Sequence, residues 1–147
     1  MDDLDRQLVA ALIRNPRADL RELAAETTMV PTSARKRLRS LEETGVVSGY
    51  TVRLDYDRLG YETVIVRLRT DLDTVDHVTT HLREHPAFVT VYEVSGEYNV
   101  VAVGKFNDES TLNACVRDIV CDGDVHAVTV ETARVVSEGE SPIVGGA

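Results

Sequence analysis

The chain has 147 residues, of which 43% are hydrophobic and 28% are charged, a composition typical of one or two small soluble domains. The sequence argues against membrane and secreted proteins. No apolar run approaches the ~18 residues that a membrane span needs, and the first residues lack the apolar core of a signal peptide. We therefore expect a cytoplasmic protein with no membrane partner.

Charge is distributed unevenly along the chain, whose formal net charge is -9. Residues 1–50 hold eight basic and eight acidic side chains, so all of the net negative charge lies in residues 51–147. The first third can thus approach a polyanion, whereas the remainder is not suited to it. The only lysines are Lys36 and Lys105. This acidic, lysine-poor composition favours work in concentrated salt inside a halophile, with an acidic mesophilic protein as the alternative.

Two short helices are predicted at the start of the chain. Leucines recur every fourth residue at Leu4, Leu8 and Leu12. This spacing predicts a first helix that ends at Asn15-Pro16. Asp19 and Glu22 have the spacing of a reciprocal capping box, which opens a second helix that stops near Thr27.

A basic helix follows, with Pro31 at its first position and Gly45 just beyond its end. Apolar residues fall on one stripe of this helix, at Ala34, Leu38 and Leu41. Polar and basic side chains point the other way, as major-groove recognition requires. A short helix, a tight turn and a basic helix together predict a helix-turn-helix DNA-binding unit. A solvated basic helix is the alternative for this segment taken alone.

The side chains on the exposed face have different predicted roles. We expect Thr32, Ser33 and Lys36 to lie near base edges. Arg35 and Arg39 are expected on phosphates or flanking bases. Arg37 projects nearer the apolar side, where either an internal ion pair or a backbone phosphate would suit it.

The second half of the chain predicts the order β-α-β-β-α-β. Val64, Val66 and Leu68 alternate with Arg67 and Arg69 in the first strand, over residues 63–70. A helix follows from near Asp73 to His85, and a hairpin joins strands 89–95 and 98–106 through Gly96-Glu97. A second helix runs from its cap at Asp108 to Ile119, and residues 125–136 form the last strand. This order is a ferredoxin-like, split βαβ fold with both helices on one face of an antiparallel sheet.

The predicted α+β organisation is a winged-helix-like helix-turn-helix domain at 1–48, a linker strand at 49–61, the βαββαβ domain at 62–136 and a disordered tail at 137–147. Residues 46–55 are predicted as strand and linker. The sheet face opposite the helices needs a cover, and a second copy of the sheet is the simplest one. We therefore expect a homodimer.

Metal binding is not expected. Cys115 and Cys121 lack metal-ligand spacing, and Cys115 shares a helix face with apolar residues, so it is predicted to be a buried thiol. His77, His81 and His85 are four residues apart, a spacing that can bind a metal on a helix. No carboxylate or cysteine completes a ligand set in the sequence pattern, so no metal and no cofactor are predicted.

Several motifs, taken in order, resemble the leucine-responsive regulatory protein/AsnC family, also called feast/famine regulators. The resemblance covers roughly residues 2 to 136. The matching segments are Leu4-Asp5-Arg6, Pro16-Arg17, the run from Arg37 to Val47, Gly49-Tyr50-Thr51, Leu59-Gly60-Tyr61 and Gly96-Glu97-Tyr98-Asn99. Any one of these motifs is weak, whereas their succession is specific.

The resemblance implies a sequence-specific, double-stranded-DNA-binding transcriptional regulator that assembles as a dimer, tetramer or octamer. It also implies that the C-terminal domain, called the regulation-of-amino-acid-metabolism domain, dimerises and often binds an amino-acid effector. The residues implied as effector contacts are Gly96, Glu97, Tyr98 and Asn99, with Thr132 on the last strand as a weaker one. For Gly96, a hairpin residue with positive φ is the alternative.

Two positions depart from the family pattern. Val30 stands where the family usually has Ser as N-cap of the recognition helix, so this helix start lacks a side-chain acceptor unless Thr28 or Thr32 compensates. Asn99 stands where the family usually has Asp, which removes a charge that could pair with an effector's ammonium group.

Two other classes of function compete with the regulator. One is an enzyme resembling siroheme decarboxylases on the same two-domain frame, although an enzyme is not what we predict. Its chemistry would need basic residues in the C-terminal domain, which is strongly acidic here. The other is a sensing or partner-binding module whose helix-turn-helix no longer binds DNA.

Overall fold

The computed structural model describes residues 1–139 and 141–143, which form two units. Unit 1 comprises Met1–Arg53 together with the described residues after Val136, and unit 2 comprises Leu54–Val136. Part of the predicted disordered tail, residues 140 and 144–147, lies outside the described residues. In the described segments no helix is both long enough and apolar enough to cross a membrane.

Unit 1 is a three-helix unit. Its helices are α1 (Asp3–Arg14), α2 (Leu20–Glu26) and α3 (Pro31–Glu43). Each helix buries one apolar stripe in a shared core made of Leu8, Ala11, Leu23, Ala24, Ala34 and Leu41. Leu8 and Ala34 are completely shielded from solvent, so α1 and α3 are held through their apolar sides. The predicted helix-turn-helix is confirmed.

The helix starts in unit 1 use carboxylates, as the sequence predicted for α2. Asp19 accepts a hydrogen bond from the Glu22 N–H at 2.9 Å. The reciprocal bond, in which the Glu22 carboxylate would accept from the Asp19 N–H, is not formed within the described part of the chain, so that half of the prediction is wrong. A complete capping box occurs at α1 instead, where Asp2 and Asp5 each accept from the other's N–H.

The segment after α3 contains no strand, so the predicted linker strand over residues 46–55 is wrong. A strand is stable only when its N–H and C=O groups pair with a neighbour. Among the described residues, no strand of the sheet pairs with this segment. Residues 56–60 form a turn, which the Tyr61 N–H closes on the Tyr56 carbonyl at 2.9 Å. Gly60 adopts φ +80° in this turn, a conformation that glycine tolerates without strain.

Unit 2 has the predicted βαββαβ order. Its elements are β1 (Glu62–Thr70), α4 (Val75–Glu84), β2 (Phe88–Glu93), β3 (Val100–Phe106), α5 (Glu109–Val120) and β4 (Val125–Ala133). They form a four-stranded sheet in the order β2-β3-β1-β4, and every neighbouring pair is antiparallel. Several limits differ from the prediction. Helix α4 follows Thr74 rather than Asp73, β2 spans Phe88–Glu93 rather than 89–95, β3 begins at Val100 rather than Tyr98, and β4 ends at Ala133 rather than Val136. The other limits agree to within one residue.

Helices pack on one face of the sheet and not on the other. Val64, Val66 and Leu68 point to the face on which α4 and α5 pack, and each is at most 1% exposed. Cys115 of α5 is buried in the same core, as predicted. The opposite face carries the intervening residues of β1, including Arg67. It has no helix over it in unit 2, which leaves the sheet open on that side.

Candidate functional site

Helix α3 begins without help from a side chain. Val30 is the N-cap residue and makes no side-chain cap bond, while Pro31 occupies the first helical position. The first intrahelical bond runs from the Ala34 N–H to the Val30 carbonyl at 3.1 Å. Neither Thr28 nor Thr32 supplies the missing acceptor, so the predicted loss of the cap is confirmed. Gly45 ends the helix with φ +79°, as predicted.

The five residues predicted to contact DNA all lie on the exposed side of α3. They are Thr32, Ser33, Arg35, Lys36 and Arg39. The apolar stripe on the opposite side of the helix is buried against α1 and α2, so α3 cannot rotate this face inward. None of the three cations lies within 4 Å of a carboxylate in the described segments. This face therefore presents positive charge that no internal ion pair neutralises.

Arg37, the fourth cation of α3, is held by the N-terminus of α1. Its Nη1 donates to both carboxylate oxygens of Asp2, at 2.9 and 2.8 Å, and to Oδ1 of Asp5 at 3.1 Å. The hydrogen bond from Arg37 lowers the pKa of Asp2, and the bond from the Asp5 N–H adds to that shift. Of the two roles considered for Arg37, the internal ion pair is the one formed here.

An open groove runs along this side of α3. It is lined by Asp5, Ser33, Lys36, Arg37, Ser40 and Leu41. Two of the predicted DNA contacts therefore share a concave surface with the restrained arginine and with a carboxylate of α1. Ser40 lies one helical turn beyond Lys36 on the same side of α3, and no motif in the sequence marked it as a site residue.

In unit 2, the predicted effector residues lie in the loop between β2 and β3. Gly96 and Glu97 are exposed, and Tyr98 is half-buried. Arg69 of β1 donates to Glu97 at 3.2 Å. Positive φ occurs only at Gly45, Gly60 and Gly139 among the described glycines. The alternative explanation of Gly96, a turn residue with positive φ, is therefore wrong.

Asn99 closes the end of the sheet. It is 8% exposed, and its amide pairs with Thr70 at the last position of β1. Oδ1 accepts from the Thr70 N–H at 2.9 Å, while Nδ2 donates to the Thr70 carbonyl at 3.2 Å and to its Oγ1 at 3.3 Å. The side chain thus replaces the backbone pairing that β3 gives up at this end. A carboxylate could accept the first bond but could not donate the other two.

Thr132 does not join this loop within one chain. It pairs with Val64 near the start of β1, whereas the loop lies beside Thr70 at the other end of that strand. Six residues of extended chain span about 20 Å. A small amino acid cannot contact both places in a single copy of the chain.

The open face of the sheet combines apolar surface with an unpaired hydroxyl. Ile65, Val101 and Val103 are half-buried on this face, and Tyr92 beside them is 58% exposed. The Thr129 hydroxyl is shielded from solvent and has no hydrogen-bond partner among the residues that the structure describes. A buried hydroxyl usually has a hydrogen-bond partner in a folded protein, so this face of the sheet is suited to contact with another protein surface.

Two histidines have carboxylate neighbours that the sequence pattern did not indicate. Nε2 of His126 is 3.0 Å from Asp71 Oδ2, and His77 lies beside two aspartates. Ligand atoms of His77, Asp122 and Asp124 lie within 4.8 Å of one another, and Nε2 of His77 is 3.9 Å from Asp124 Oδ2. The expectation that no carboxylate completes a ligand set is therefore wrong for His77. The cause is distance along the chain, since α4 meets the loop before β4 only in the folded unit. His77 is exposed and the two aspartates are partly so.

A helix-turn-helix with an exposed basic helix, joined to a separate βαββαβ domain, defines a DNA-binding regulator with a second domain for ligand or partner. Residues 1–48 match the family model of winged helix-turn-helix DNA-binding domains, and residues 63–137 match the Lrp/AsnC ligand binding domain. The chain belongs to the Lrp/AsnC family of transcriptional regulators. The predicted family and fold class are thereby confirmed.

Relatives and solved structures agree with this assignment. An uncharacterized HTH-type transcriptional regulator of Pyrococcus furiosus is 29% identical over 140 residues, covering 94% of this chain and 95% of that protein. The crystal structure of Mycobacterium tuberculosis leucine response regulatory protein (LrpA) has a TM-score of 0.85 at 25% identity and covers 97% and 99% of the two chains. A Neisseria meningitidis transcriptional regulator, NMB0573, solved as an L-Met complex, has a TM-score of 0.82 at 18% identity, with 98% and 96% covered, and shows the shared fold.

Proposed function

We propose that the protein regulates transcription in the cytoplasm by binding double-stranded DNA through the exposed face of α3. The observation that carries the proposal is the combination on one helix of an apolar side packed into the core and three cations that have no acidic partner among the described residues. Such a helix enters a major groove with its basic side leading. The acidic excess of residues 51–147 keeps the remainder of the chain away from phosphates.

Within this face we assign base contacts to Thr32, Ser33 and Lys36, and phosphate or flanking contacts to Arg35 and Arg39. The side chains assigned to bases lie on the first turns of α3, which is the part of a recognition helix that contacts base edges. Loss of a base contact removes discrimination between sequences, whereas loss of a phosphate contact weakens binding to all DNA about equally.

Two alanine variants test this assignment. Lys36→Ala should weaken binding to a selected site by about 5- to 150-fold, the equivalent of about 1–3 kcal/mol, with little effect on unrelated DNA. Arg39→Ala should weaken both by a similar factor and lower the salt slope by about one. Arg83→Ala on α4, an exposed cation of unit 2, is the control. Equal losses on both DNAs for both variants would contradict the division of roles.

We propose further that the chain acts as a homodimer. The mass measured by light scattering would also show whether dimers assemble into a tetramer or octamer. The half-buried residues Ile65, Val101 and Val103 would then meet a second copy on the open sheet face. Val101→Glu should reduce the mass measured by light scattering to that of a monomer. Val120→Glu, at an exposed position on α5, is the matched control. An unchanged mass for Val101→Glu would exclude this face as the interface.

A small amino acid is the effector that we propose for the loop at Gly96, Glu97 and Tyr98. The neighbouring structure named as an L-Met complex supports this class of ligand, and the exposed Glu97 carboxylate can face an ammonium group. A ligand that also touches Thr132 would have to bridge two copies. Thermal shifts with single amino acids test the proposal: one of them should raise the melting temperature of the wild type and not of Glu97→Ala. The same shift in both would remove Glu97 from the site.

A further inference from the structure

Among the described residues, Arg37 is the one cation of α3 that has an acidic partner, and its guanidinium forms these bonds on one side only. Every hydrogen bond that it makes to Asp2 and Asp5 comes from Nη1. Nε and Nη2 bond to nothing in the described part of the chain. The side chain is 30% exposed and lines an open groove, and this second edge of the guanidinium is the one that has donors left for a ligand from solvent.

The surroundings of that free edge fit an anion. Arg37 lines the groove with Lys36, Ser33 and Ser40, which offer an ammonium group and two hydroxyl donors. Arginine binds phosphate oxygens through two parallel N–H donors, and two of the residues that we assign to DNA, Ser33 and Lys36, line the same groove. Asp5 lines the same groove, and its carboxylate, with that of Asp2, opposes an approaching phosphate.

We infer that Arg37 is an additional phosphate contact of α3 and that Asp2 and Asp5 restrain it, so that a DNA phosphate in the groove competes with these two carboxylates for the guanidinium. This inference rests on the proposed DNA binding and adds a contact to it. The ion pair with Asp2 and Asp5 weakens the attraction of α3 to any polyanion, because it neutralises one of the four cations of this helix before DNA binds. Sequence selection is thereby left to the other side chains of the helix.

The rival explanation is that the ion pair only fastens α1 to α3. The two explanations predict opposite signs. If the pair restrains Arg37, removing the carboxylate charges should strengthen DNA binding. If the ion pair instead holds α3 in the orientation that DNA binding needs, removing the carboxylate charges should weaken DNA binding.

The test uses Asp2→Asn/Asp5→Asn in the full-length protein. Asparagine retains the oxygen that caps α1 and is as good an N-cap as aspartate, so the helix start is preserved. Binding to an unrelated duplex is measured by fluorescence anisotropy between roughly 0.05 and 0.5 M KCl. Circular dichroism in each buffer checks folding. Asp2→Asn alone, which keeps the Asp5 bond, is the milder variant and should show a smaller gain.

We expect the double variant to bind about three- to eightfold more tightly at the lowest salt, with a salt slope steeper by about 0.9, the effect of one additional phosphate contact. In the Arg37→Gln background the same two substitutions should give little gain. Glu42→Gln/Glu43→Gln removes two negative charges from the other end of α3 and is the control for general repulsion.

Three results would overturn the inference. One is a gain that persists in the Arg37→Gln background, and another is an equal gain in the Glu42→Gln/Glu43→Gln control, since either shows simple loss of repulsion. The third is a loss of affinity, which shows that the ion pair holds α3 in its binding orientation. The proposed function is judged separately, by preference for a selected site over the unrelated duplex. A wild type without that preference would contradict the proposed function while the restraint on Arg37 is still decided by the salt slopes.

Discussion

Replacement of Asn99 by alanine should destabilise unit 2 through two backbone groups of Thr70. Thr70 is 7% exposed, so water cannot fully replace the amide of Asn99. The Thr70 N–H and carbonyl would each lose a partner at 2.9 and 3.2 Å. An orphaned buried polar group costs about 1–3 kcal/mol, and two of them give about 2–4 kcal/mol when some relaxation is allowed.

The free energy of unfolding is measured by urea denaturation in concentrated KCl, followed by circular dichroism. Asn107→Ala, at an exposed position just after β3, is the control and should match the wild type. Asn99→Asp keeps the bond from the Thr70 N–H but loses the donated bonds, so its stability should lie between those of Asn99→Ala and the wild type. If Asn99→Ala unfolds at the same urea concentration as the control, the amide is not a structural bridge, and its burial has another cause.

Three further predictions concern packing, thiol reactivity and acid stability. Gly104→Ala should lower the free energy of unfolding by about 1–3 kcal/mol, because the new Cβ would lie 2.5 Å from a ring carbon of Phe106. Gly123→Ala is the control and should be neutral, because its new Cβ would have no atom within 4 Å. Equal urea midpoints for the two variants would contradict the steric argument. A thiol reagent at neutral pH should modify Cys121 alone in the folded protein, because burial, aided by the Asp118 charge, raises the pKa of Cys115 to about 11; two fast thiols would refute the buried assignment. The pKa of Asp2 in the folded protein lies below the ordinary value of 3.8, so the Asp2 carboxylate stabilises the fold above pH 3.8, and this stabilisation is lost as the pH falls through the lowered pKa. The difference in unfolding free energy between wild type and Asp2→Asn, followed by acid titration, should therefore shrink below pH 3.8. A constant difference would contradict the linkage.

Sequence patterns gave the elements whose signals are local. Pro31 marked the first turn of α3 and Gly45 its end, because both act through their own backbone geometry. The alternation of Val64, Val66 and Leu68 gave β1 and its buried face, since a period of two residues needs no knowledge of the partner strands. The side of α3 that faces solvent followed from a helical period in the same way.

What the sequence could not provide were contacts between distant segments. Thr70 and Asn99 are 29 residues apart, and their pairing depends on where β3 leaves the sheet. The ion pair between Asp2 and Arg37 spans 35 residues and needs α1 and α3 to be packed first. The strand predicted over 46–55 failed for the related reason that a strand pattern does not supply a pairing partner. The expected preference for concentrated salt stays a prediction.

Selective binding of DNA is the central claim, and the DNA upstream of the protein's own gene is the most direct substrate on which to test it. Fluorescence anisotropy in ~1 M KCl, where the Debye length is about 3 Å, suppresses attraction that depends on phosphates alone. We predict tighter binding to this DNA than to a scrambled duplex of equal length, and a loss of that preference in Lys36→Ala. Equal binding to both duplexes by a folded wild-type protein would contradict the account for that promoter and favour a module that no longer recognises DNA.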